Sequence, residues 1–185
     1  MNPASNLVLI GPMGAGKSSL GRLLAPRFGL VLRDLDRMIE ERCGVAIPTI
    51  FELEGEAGFR QRERGVLEEV CAGAGQLIAT GGGAVLDPAN RERLRRCGFV
   101  VWLKVGIELQ LRRLGRDRSR PLLQVAEREQ RLRQLAAERE PLYAETCDLV
   151  FEPGPVAARS AAAALARELE RHWQRHPATP AAVPA

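Results

Sequence analysis

A glycine-rich segment, "GPMGAGKSSL" from Gly11 to Leu20, holds residues whose types and spacing suit phosphate chemistry. It fills the pattern GxxxxGK[ST], follows the apolar run "NLVLI" and leads into an amphipathic segment, as this pattern requires. Its glycines allow backbone N–H groups to point at phosphate oxygens beside a helix N-terminus. The alternative is a glycine-rich turn with a chance lysine and serine. Six residues form the predicted phosphate site: Gly14, Ala15, Gly16, Lys17, Ser18 and Ser19.

Two side chains of this segment add chemistry of their own. Lys17 would contact the β- and γ-phosphates of a nucleotide, and the Ser18 hydroxyl would bind Mg²⁺. The segment is therefore predicted to be a P-loop, which alone leaves ATPases, GTPases and kinases open.

A pair of aspartates follows the second apolar run, in "RDLD". Asp34 and Asp36 are two residues apart, so we expect both on one side of a strand tip near the P-loop. One carboxylate can hold Mg²⁺ through water while the other accepts a hydrogen bond from a substrate hydroxyl, which suits phosphoryl transfer. The alternative is a helix N-cap plus a surface acid at the start of "DRMIEERCG".

The segment "GFRQRE" is predicted to open a helix, with Arg60 in the first turn and Glu63 three residues later. A helix N-terminus favours acids, so an arginine there predicts a partner outside the helix, such as a substrate carboxylate. After the third apolar run, Gly81, Gly82 and Gly83 would let a ligand approach the backbone closely. An ordinary turn at a strand exit would explain the three glycines equally well.

Five arginines surround a glycine and a proline in "RRLGRDRSRPLL", from residue 112 to 123. This density is self-repelling without an anion, so it predicts a mobile segment that closes over nucleotide phosphates, with Arg120 beside the sharp "PLL" boundary. A solvated basic loop is the alternative. Arg139, near the end of a later helix, reads from its own pattern as a surface residue.

Short apolar runs alternate with amphipathic stretches along the chain, which predicts a parallel sheet with helices on both faces and ligands at the carboxyl ends of its strands. The predicted strands are "NLVLI" (6 to 10), "LVLRDLD" (30 to 36), "QLIATGGG" (76 to 83), "FVVWLKV" (99 to 105) and "DLVFE" (148 to 152). The predicted helices include "SSLGRLLAPRFG", "GFRQRERGVLEEVCAGAG" and "AEREQRLRQLAAEREPLYAE".

The composition limits the class of protein. A chain of 185 residues that is 45% hydrophobic most simply forms one domain, which we place at residues 1 to 174, with a disordered tail from 175 to 185. Although the net charge is +4, acids are interleaved with bases and only 4% of residues are aromatic, which argues against nucleic acid binding.

No apolar run approaches membrane-spanning length and no signal segment is recognised, so we expect a cytoplasmic protein without a membrane partner. The four cysteines, without CxxC spacing, are expected to be reduced and mostly buried.

These motifs together resemble the shikimate kinases, small relatives of the nucleoside monophosphate kinases. The resemblance runs from about Leu7 to Tyr143, and the order of its motifs is specific: "GPMGAGKS", "DLD", "FRxxE" (Phe59, Arg60, Glu63), "GGG", "RPLL" and "REPLY". It implies ATP-dependent phosphorylation of the 3-hydroxyl of shikimate, on the route to aromatic amino acids. It also implies a five-stranded parallel sheet in the order 2-3-1-4-5, a substrate-binding helical region at about 35 to 63 and a lid at about 114 to 126. We expect the protein to be a monomer.

The resemblance assigns roles to individual residues. The shikimate site would comprise Asp36, Arg60, Glu63, Gly81, Gly82, Gly83 and Arg139, with Arg60 and Arg139 on the carboxylate. Ser18 and Asp34 would serve Mg²⁺, and Arg113 and Pro155 would lie at the adenine. The implied catalytic residues are Lys17, Asp36 and Arg120.

Two rival functions share some of these features. A related small-molecule kinase, such as a gluconate kinase, would have the P-loop and lid without paired carboxylate-binding arginines. A P-loop switch that senses nucleotide without a small substrate would give Arg60 and Arg139 no ordered role.

Overall fold

The computed structural model describes residues 4–115 and 127–174. The predicted tail and nearly all of the predicted lid, including Arg120, lie outside these ranges. The described strands are β1 (Asn6–Ile10), β2 (Val31–Asp34), β3 (Gln76–Ala79), β4 (Gly98–Leu103) and β5 (Leu149–Phe151). The described helices are α1 (Lys17–Arg27), α2 (Leu35–Cys43), α3 (Ile47–Cys71), α4 (Pro88–Cys97), α5 (Ile107–Leu114), α6 (Arg128–Thr146) and α7 (Ala158–His172), with a short 3₁₀ turn at Ala84–Leu86.

All five strands pair in parallel in the order β2-β3-β1-β4-β5, as predicted. Strand β1 is central, with Leu7 beside Leu77 of β3 on one side and Phe99 of β4 on the other. Because every strand runs the same way, the turns that follow the strands gather at one edge of the sheet. The P-loop follows the central strand and so lies in the middle of that edge.

Alternate residues of the central strands feed two separate hydrophobic layers, since neighbouring side chains of a strand point to opposite faces. Leu7 and Leu9 pack against α1 and α7, whereas Val8 and Ile10 pack against the layer formed by α2, α3, α4 and α6. Helices therefore cover both faces of the sheet, which explains the continuous apolar runs in its strands.

Strand β2 ends at Asp34, two residues earlier than predicted. The Asp34 carboxylate accepts a hydrogen bond from the backbone N–H of Arg37 at 3.4 Å, so it caps α2. Asp36 therefore lies in the first turn of α2 and not at a strand tip. The prediction was wrong because a side chain that caps a helix ends the extended conformation at its own residue.

Helix α3 begins at Ile47, well before the predicted start at residue 58. Gly55 interrupts it with a φ of 68° and a ψ of −175°, values that glycine adopts without strain, and the helix resumes beyond this kink. Arg60 consequently lies past the first turn of the second part, where it pairs with Glu56 and Glu63 of its own helix. A partner outside the helix, such as a substrate carboxylate, stays a prediction.

Two predictions from composition can also be compared with the structure. The four cysteines are free thiols as predicted, but each is half-buried and none is fully buried. No helix in the described part of the chain is long and apolar enough to cross a membrane.

Asn6 joins the amino ends of three strands, and this suggests a test of what stabilises the sheet. The side chain is 1% exposed. Its Nδ2 donates to the carbonyls of Gly73 and Cys97 at 2.8 and 3.0 Å, and its Oδ1 accepts from the N–H of Gln76 at 3.0 Å. We expect Asn6→Leu to lower the free energy of unfolding by about 3 kcal/mol, because three backbone groups lose a hydrogen bond to a buried side chain. Urea denaturation measures this loss.

Gln134→Leu, at an exposed position of α6, provides the control and should change stability by no more than about 0.5 kcal/mol. Equal stability of the two variants would show that the Asn6 contacts contribute little.

Candidate active site

A cavity of about 500 Å³ opens at the carboxyl edge of the sheet. Its walls come from the P-loop, the start of α1, the first turn of α2, the exit of β3, the end of α5 and the segment before α7. Nine predicted site residues line it: Gly14, Ala15, Gly16, Lys17, Ser18, Ser19, Asp36, Gly82 and Arg113. The fold thus brings the predicted phosphate residues together with two residues predicted to bind the second substrate.

The P-loop meets α1 in the geometry expected of a phosphate site. Gly16 is the N-cap of α1 with a φ of 95°, a left-handed conformation that favours glycine, and Lys17 is the first helical residue. No side chain caps this helix end, so its first N–H groups face the cavity side of the loop. A helix N-terminus of this kind attracts anions.

Lys17 is held in place by its own loop. The side chain lines the cavity and is 9% exposed, and its Nζ donates to the carbonyls of Gly11 and Pro12 at 2.7 and 2.8 Å. The positive charge therefore lies at the cavity floor, close to the N-terminus of α1, where both would act on one anion.

The two predicted aspartates have different surroundings. Asp36 lines the cavity, whereas Asp34 caps α2 and is not among the lining residues. The structure therefore separates the pair by position: Asp36 faces the space where ligands would meet the P-loop.

Beside Asp36 lies a buried acid, Glu63. It is 0% exposed, and its Oε2 accepts from Arg60 Nη1 at 2.7 Å. Burial raises the pKa of Glu63, the neighbouring Arg60 opposes this effect, and the charges of Asp36 and Arg139 also act on the carboxyl. Arg60 in addition pairs with Glu56 at 2.9 Å. These interactions place Arg60, Glu63, Asp36 and Arg139 in one electrostatic cluster.

Arg139 is 4% exposed, so the surface position that its sequence pattern predicted is wrong. Its Nε is buried and has no hydrogen-bond partner among the described residues, and the carboxylate of Glu138 is 3.9 Å away from it. Glu63 and Tyr143 also interact with the guanidinium, but a buried N–H group that lacks a hydrogen-bond partner is unfavourable until an acceptor reaches it. This guanidinium is therefore a candidate anion-binding group.

Two of the three consecutive glycines leave room for this cluster. A Cβ on Gly81 would lie 2.5 Å from Glu63 Oε1 and 3.0 Å from Asp36 Oδ1, and one on Gly83 would lie 2.2 Å from Arg60 Nη2. Charged side chains from α2 and α3 therefore lie directly against the backbone after β3. These close contacts explain why glycines stand at positions 81 and 83, so an ordinary turn is not needed as the explanation.

Tyr143 was not predicted as a site residue. Its hydroxyl donates to the carbonyl of Gly82, and its ring packs at 5.7 Å from that of Trp102. The charges of Arg139, Arg60 and Glu63 all act on it, so it belongs to the same cluster. The only sequence signal was the spacing Arg139 to Tyr143, which puts both residues on one face of α6.

The nucleotide side of the cavity is bounded by α5 and the segment after β5. Arg113 donates to the carbonyls of Gly14 and Ala15 at 2.9 and 3.2 Å and to that of Gly154 at 3.2 Å, so it joins the P-loop to that segment. Pro153 and Val156 line the cavity, while Pro155 between them is exposed and does not.

The oxygen groups at this site suit Mg²⁺. The Ser18 hydroxyl and the Asp36 carboxylate line the same cavity, and Asp34 lies at the end of β2. In residues 4–115 and 127–174 no three His, Cys, Asp or Glu side chains are placed to hold a metal by themselves. Mg²⁺ usually keeps several waters and takes one or two carboxylates plus substrate phosphates, so these residues fit it.

A parallel sheet in this order, with a P-loop after its central strand and a charged pocket beside it, defines the class of P-loop kinases. The family model described as "Shikimate kinase" matches residues 13–170. A shikimate kinase of Stenotrophomonas maltophilia (strain K279a) is 54% identical over 180 residues, which cover 97% of this chain and 100% of that relative. The chain therefore belongs to the shikimate kinase family.

Solved structures agree with this family. A shikimate kinase from Acinetobacter baumannii in complex with shikimate aligns with a TM-score of 0.88 and 45% identity, covering 92% of this chain and 95% of that one. A gluconokinase from Sinorhizobium meliloti 1021 aligns over 92% of this chain and 95% of its own with a TM-score of 0.55, but at 18% identity this shows a shared fold alone.

The chain has one tyrosine, so the ionisation of Tyr143 can be measured directly. Burial raises the pKa of Tyr143 above its ordinary value of 10.0, and Arg139 opposes this only in part. As the pH rises through that ordinary value, the unfolded chain releases the proton while the folded chain keeps it, so the free energy of unfolding falls. When the folded protein is titrated with base, we expect phenolate absorbance to appear only above pH 10.0. It should appear together with loss of the helical circular dichroism signal.

Tyr143→Phe is the matched variant: it should abolish the absorbance change and flatten the alkaline fall in stability. Phenolate formation near pH 10.0 in protein that keeps its native circular dichroism would contradict the buried position of Tyr143.

Proposed function

We propose that this chain transfers the γ-phosphoryl group of ATP to the 3-hydroxyl of shikimate, giving shikimate 3-phosphate and ADP. The observation that carries this proposal is the buried guanidinium of Arg139, clustered with Arg60 beside the cavity that contains the P-loop. A small substrate with one carboxylate would supply the acceptor that the buried Nε of Arg139 lacks among the described residues. The relative from Acinetobacter baumannii, solved with shikimate, supports the choice of substrate.

Arg60 and Arg139 would bind the substrate carboxylate together. The two come from different helices, α3 and α6, and act on the same buried Glu63. Glu63 accepts from Nη1 of Arg60, and Glu56 accepts from Nε and Nη2, which leaves one N–H of each terminal nitrogen to donate to a substrate. Guanidinium groups and carboxylates match in geometry as well as in charge, so two of them fix both the position and the orientation of the ring.

Asp36 would accept a hydrogen bond from the 3-hydroxyl. Its carboxylate shares the cavity with Lys17 and the P-loop, so a hydroxyl held there faces the transferring phosphoryl group. Positioning of this kind is a major source of rate in phosphoryl transfer, whose loose transition state asks little of a base. The N–H groups of Gly81, Gly82 and Gly83 would complete the substrate site from the sheet side.

ATP would lie along the P-loop with its phosphates at the N-terminus of α1. Lys17 supplies a positive charge that acts on the charge developing at the γ-phosphoryl group, and Arg120 of the predicted lid is proposed to add a second one. Arg113 and Pro155 would flank the adenine, next to the lining residues Pro153 and Val156. Ser18 and Asp34 would hold Mg²⁺, which when bound neutralises phosphate charge.

The reaction needs only these two small substrates. We therefore also propose that residues 1 to 174 act as one kinase domain, that the enzyme is a monomer in the cytoplasm, and that it has no nucleic acid or membrane partner. The single sheet, against which both helical layers pack, supports the domain assignment.

The direct test is ATP turnover with a panel of small hydroxy acids and polyols. Shikimate should be phosphorylated at its 3-hydroxyl and should exceed gluconate in kcat/KM by orders of magnitude. Faster turnover of gluconate would support the rival kinase, and nucleotide hydrolysis that no added substrate stimulates would support a switch.

A cycle of substrate and enzyme changes tests the carboxylate site. Arg60→Ala should weaken shikimate binding by roughly thirtyfold to several thousandfold while ATP binding is nearly unchanged, because a buried charge contact is lost, at a cost of about 2 to 5 kcal/mol. The neutral carboxamide of shikimate should bind the wild-type enzyme as weakly as shikimate binds the Arg60→Ala variant. It should add little further loss in Arg60→Ala, as isothermal titration would measure.

Arg62→Ala is the matched control, since Arg62 is an exposed arginine of the same helix that pairs with Glu54. It should leave shikimate binding unchanged. Full additivity of the Arg60 and carboxamide effects would mean that Arg60 does not contact the carboxylate.

Gly83→Ala tests whether the position of the Arg60 guanidinium matters. The φ of Gly83 is −100°, which alanine tolerates. The new Cβ would lie only 2.2 Å from Arg60 Nη2, so the guanidinium would have to move. We expect kcat/KM for shikimate to fall by about 10- to 100-fold, as misplacement near 1 Å can produce, with the KM for ATP nearly constant.

Gly65→Ala, on the same helix as Arg60 with no atom within 4 Å of its added Cβ, should behave as wild type. An unchanged kcat/KM in Gly83→Ala would show that Arg60 adjusts freely and that its observed position is not required.

A further inference from the structure

Two cysteines that are 26 residues apart in the sequence meet at the opposite edge of the sheet from the candidate active site. Cys71 is the last residue of α3 and Cys97 the last residue of α4, and their sulfur atoms are 2.8 Å apart. Strand β4 follows Cys97 directly, and β3 begins five residues after Cys71. The pair therefore lies at the amino ends of the strands, whereas the P-loop lies at the carboxyl ends.

Small molecules can reach this pair from solvent. Both thiols are half-buried and line an open groove of about 440 Å³ between the ends of α3 and α4. Four charged side chains share the groove: Glu68, Glu92, Arg93 and Arg96. The other two cysteines, Cys43 and Cys147, are not part of this groove.

The groove distinguishes the two thiols chemically. The hydrogen bond shared with Cys71 lowers the pKa of Cys97 and burial opposes this, while the positive charge of Arg93 lowers the pKa of both thiols. Hydrogen bonding to Cys97 and burial raise the pKa of Cys71. Arg93 pairs with Glu68 at 3.1 Å through Nη2, while its buried Nη1 has no hydrogen-bond partner within the described residues. Cys97 is thus the thiol that ionises first.

We propose that Cys71 and Cys97 form a thiol-oxidation site, which hydroperoxides convert reversibly into a disulfide within one chain. The sulfur atoms must approach by less than 1 Å, because a disulfide bond is about 2.05 Å long. Rotation of the two terminal helix side chains can supply a movement of this size, without displacement of the sheet.

The reaction has two steps. The Cys97 thiolate attacks one oxygen of hydrogen peroxide, the O–O bond breaks, and the products are a sulfenic acid on Cys97 and hydroxide, which takes up a proton to give water. The Cys71 sulfur then attacks the Cys97 sulfur, the S–O bond breaks, and the second oxygen leaves as water with the thiol proton. Two thiols and one peroxide thus give one disulfide and two waters, and a dithiol reductant reverses the change.

Peptide mapping tests the proposal, because trypsin places each cysteine in a different peptide. The cross-link would join residues 65–91 to residues 97–104, whereas Cys43 and Cys147 fall in residues 43–60 and 140–159. With about one equivalent of hydrogen peroxide, we expect free thiols in the denatured chain to fall from four to two. The linked peptide should appear without covalent dimers, and a dithiol should restore all thiols.

Variants provide the controls. Cys71→Ser should accumulate a sulfenic acid at Cys97 that dimedone labels, Cys97→Ser should leave Cys71 as a thiol over the same time, and Cys43→Ser combined with Cys147→Ser should form the cross-link as wild type does. Oxidation of Cys43 or Cys147 at the same rate as Cys97, or disulfides only between chains, would overturn the proposal.

Discussion

The candidate active site depends on one buried ion pair, between Glu63 and Arg60. A carboxylate with no exposed surface is stable as an anion only beside a cation, and Arg60 Nη1 supplies that cation at 2.7 Å. The same contact determines where the Arg60 guanidinium lies, and therefore where it could bind a substrate anion. It also explains the residues opposite, since any side chain at Gly81 or Gly83 would occupy the space of this pair.

Several features of this site follow from local sequence. The P-loop could be predicted because its chemistry is contained in one segment, where a strand, a glycine-rich turn and a helix N-terminus are contiguous. The strand order of the sheet came from the resemblance to the family, whereas the number of strands and their parallel pairing followed from continuous apolar runs alternating with amphipathic ones. The P-loop and the number and pairing of the strands therefore rest on sequence patterns that need no knowledge of long-range contacts.

The errors have a common physical cause, because each concerns a contact between distant segments or a competition at an element boundary. Arg139 reads as a surface residue on a polar helix, yet it is buried, because α6 turns this face toward α3 and the sheet. Asp36 was assigned to a strand because period-two spacing suited it, but the cap formed by Asp34 ended the strand first. The proximity of Cys71 and Cys97 likewise arises only when α3 and α4 end side by side.

Gly82 shows how the two halves of the site are connected. A Cβ there would lie 3.3 Å from the backbone nitrogen of Met13 in the P-loop, and its carbonyl accepts the hydroxyl of Tyr143 from α6. One residue therefore touches the nucleotide loop on one side and, on the other, the helix that carries Arg139. In-line transfer needs the acceptor hydroxyl and the γ-phosphoryl group aligned to within a fraction of an ångström, and rigid contacts supply this better than flexible ones. The P-loop and the arginines that we propose to bind the substrate carboxylate both adjoin the same short segment after β3. We therefore expect a displacement of either to reach the other through Gly82.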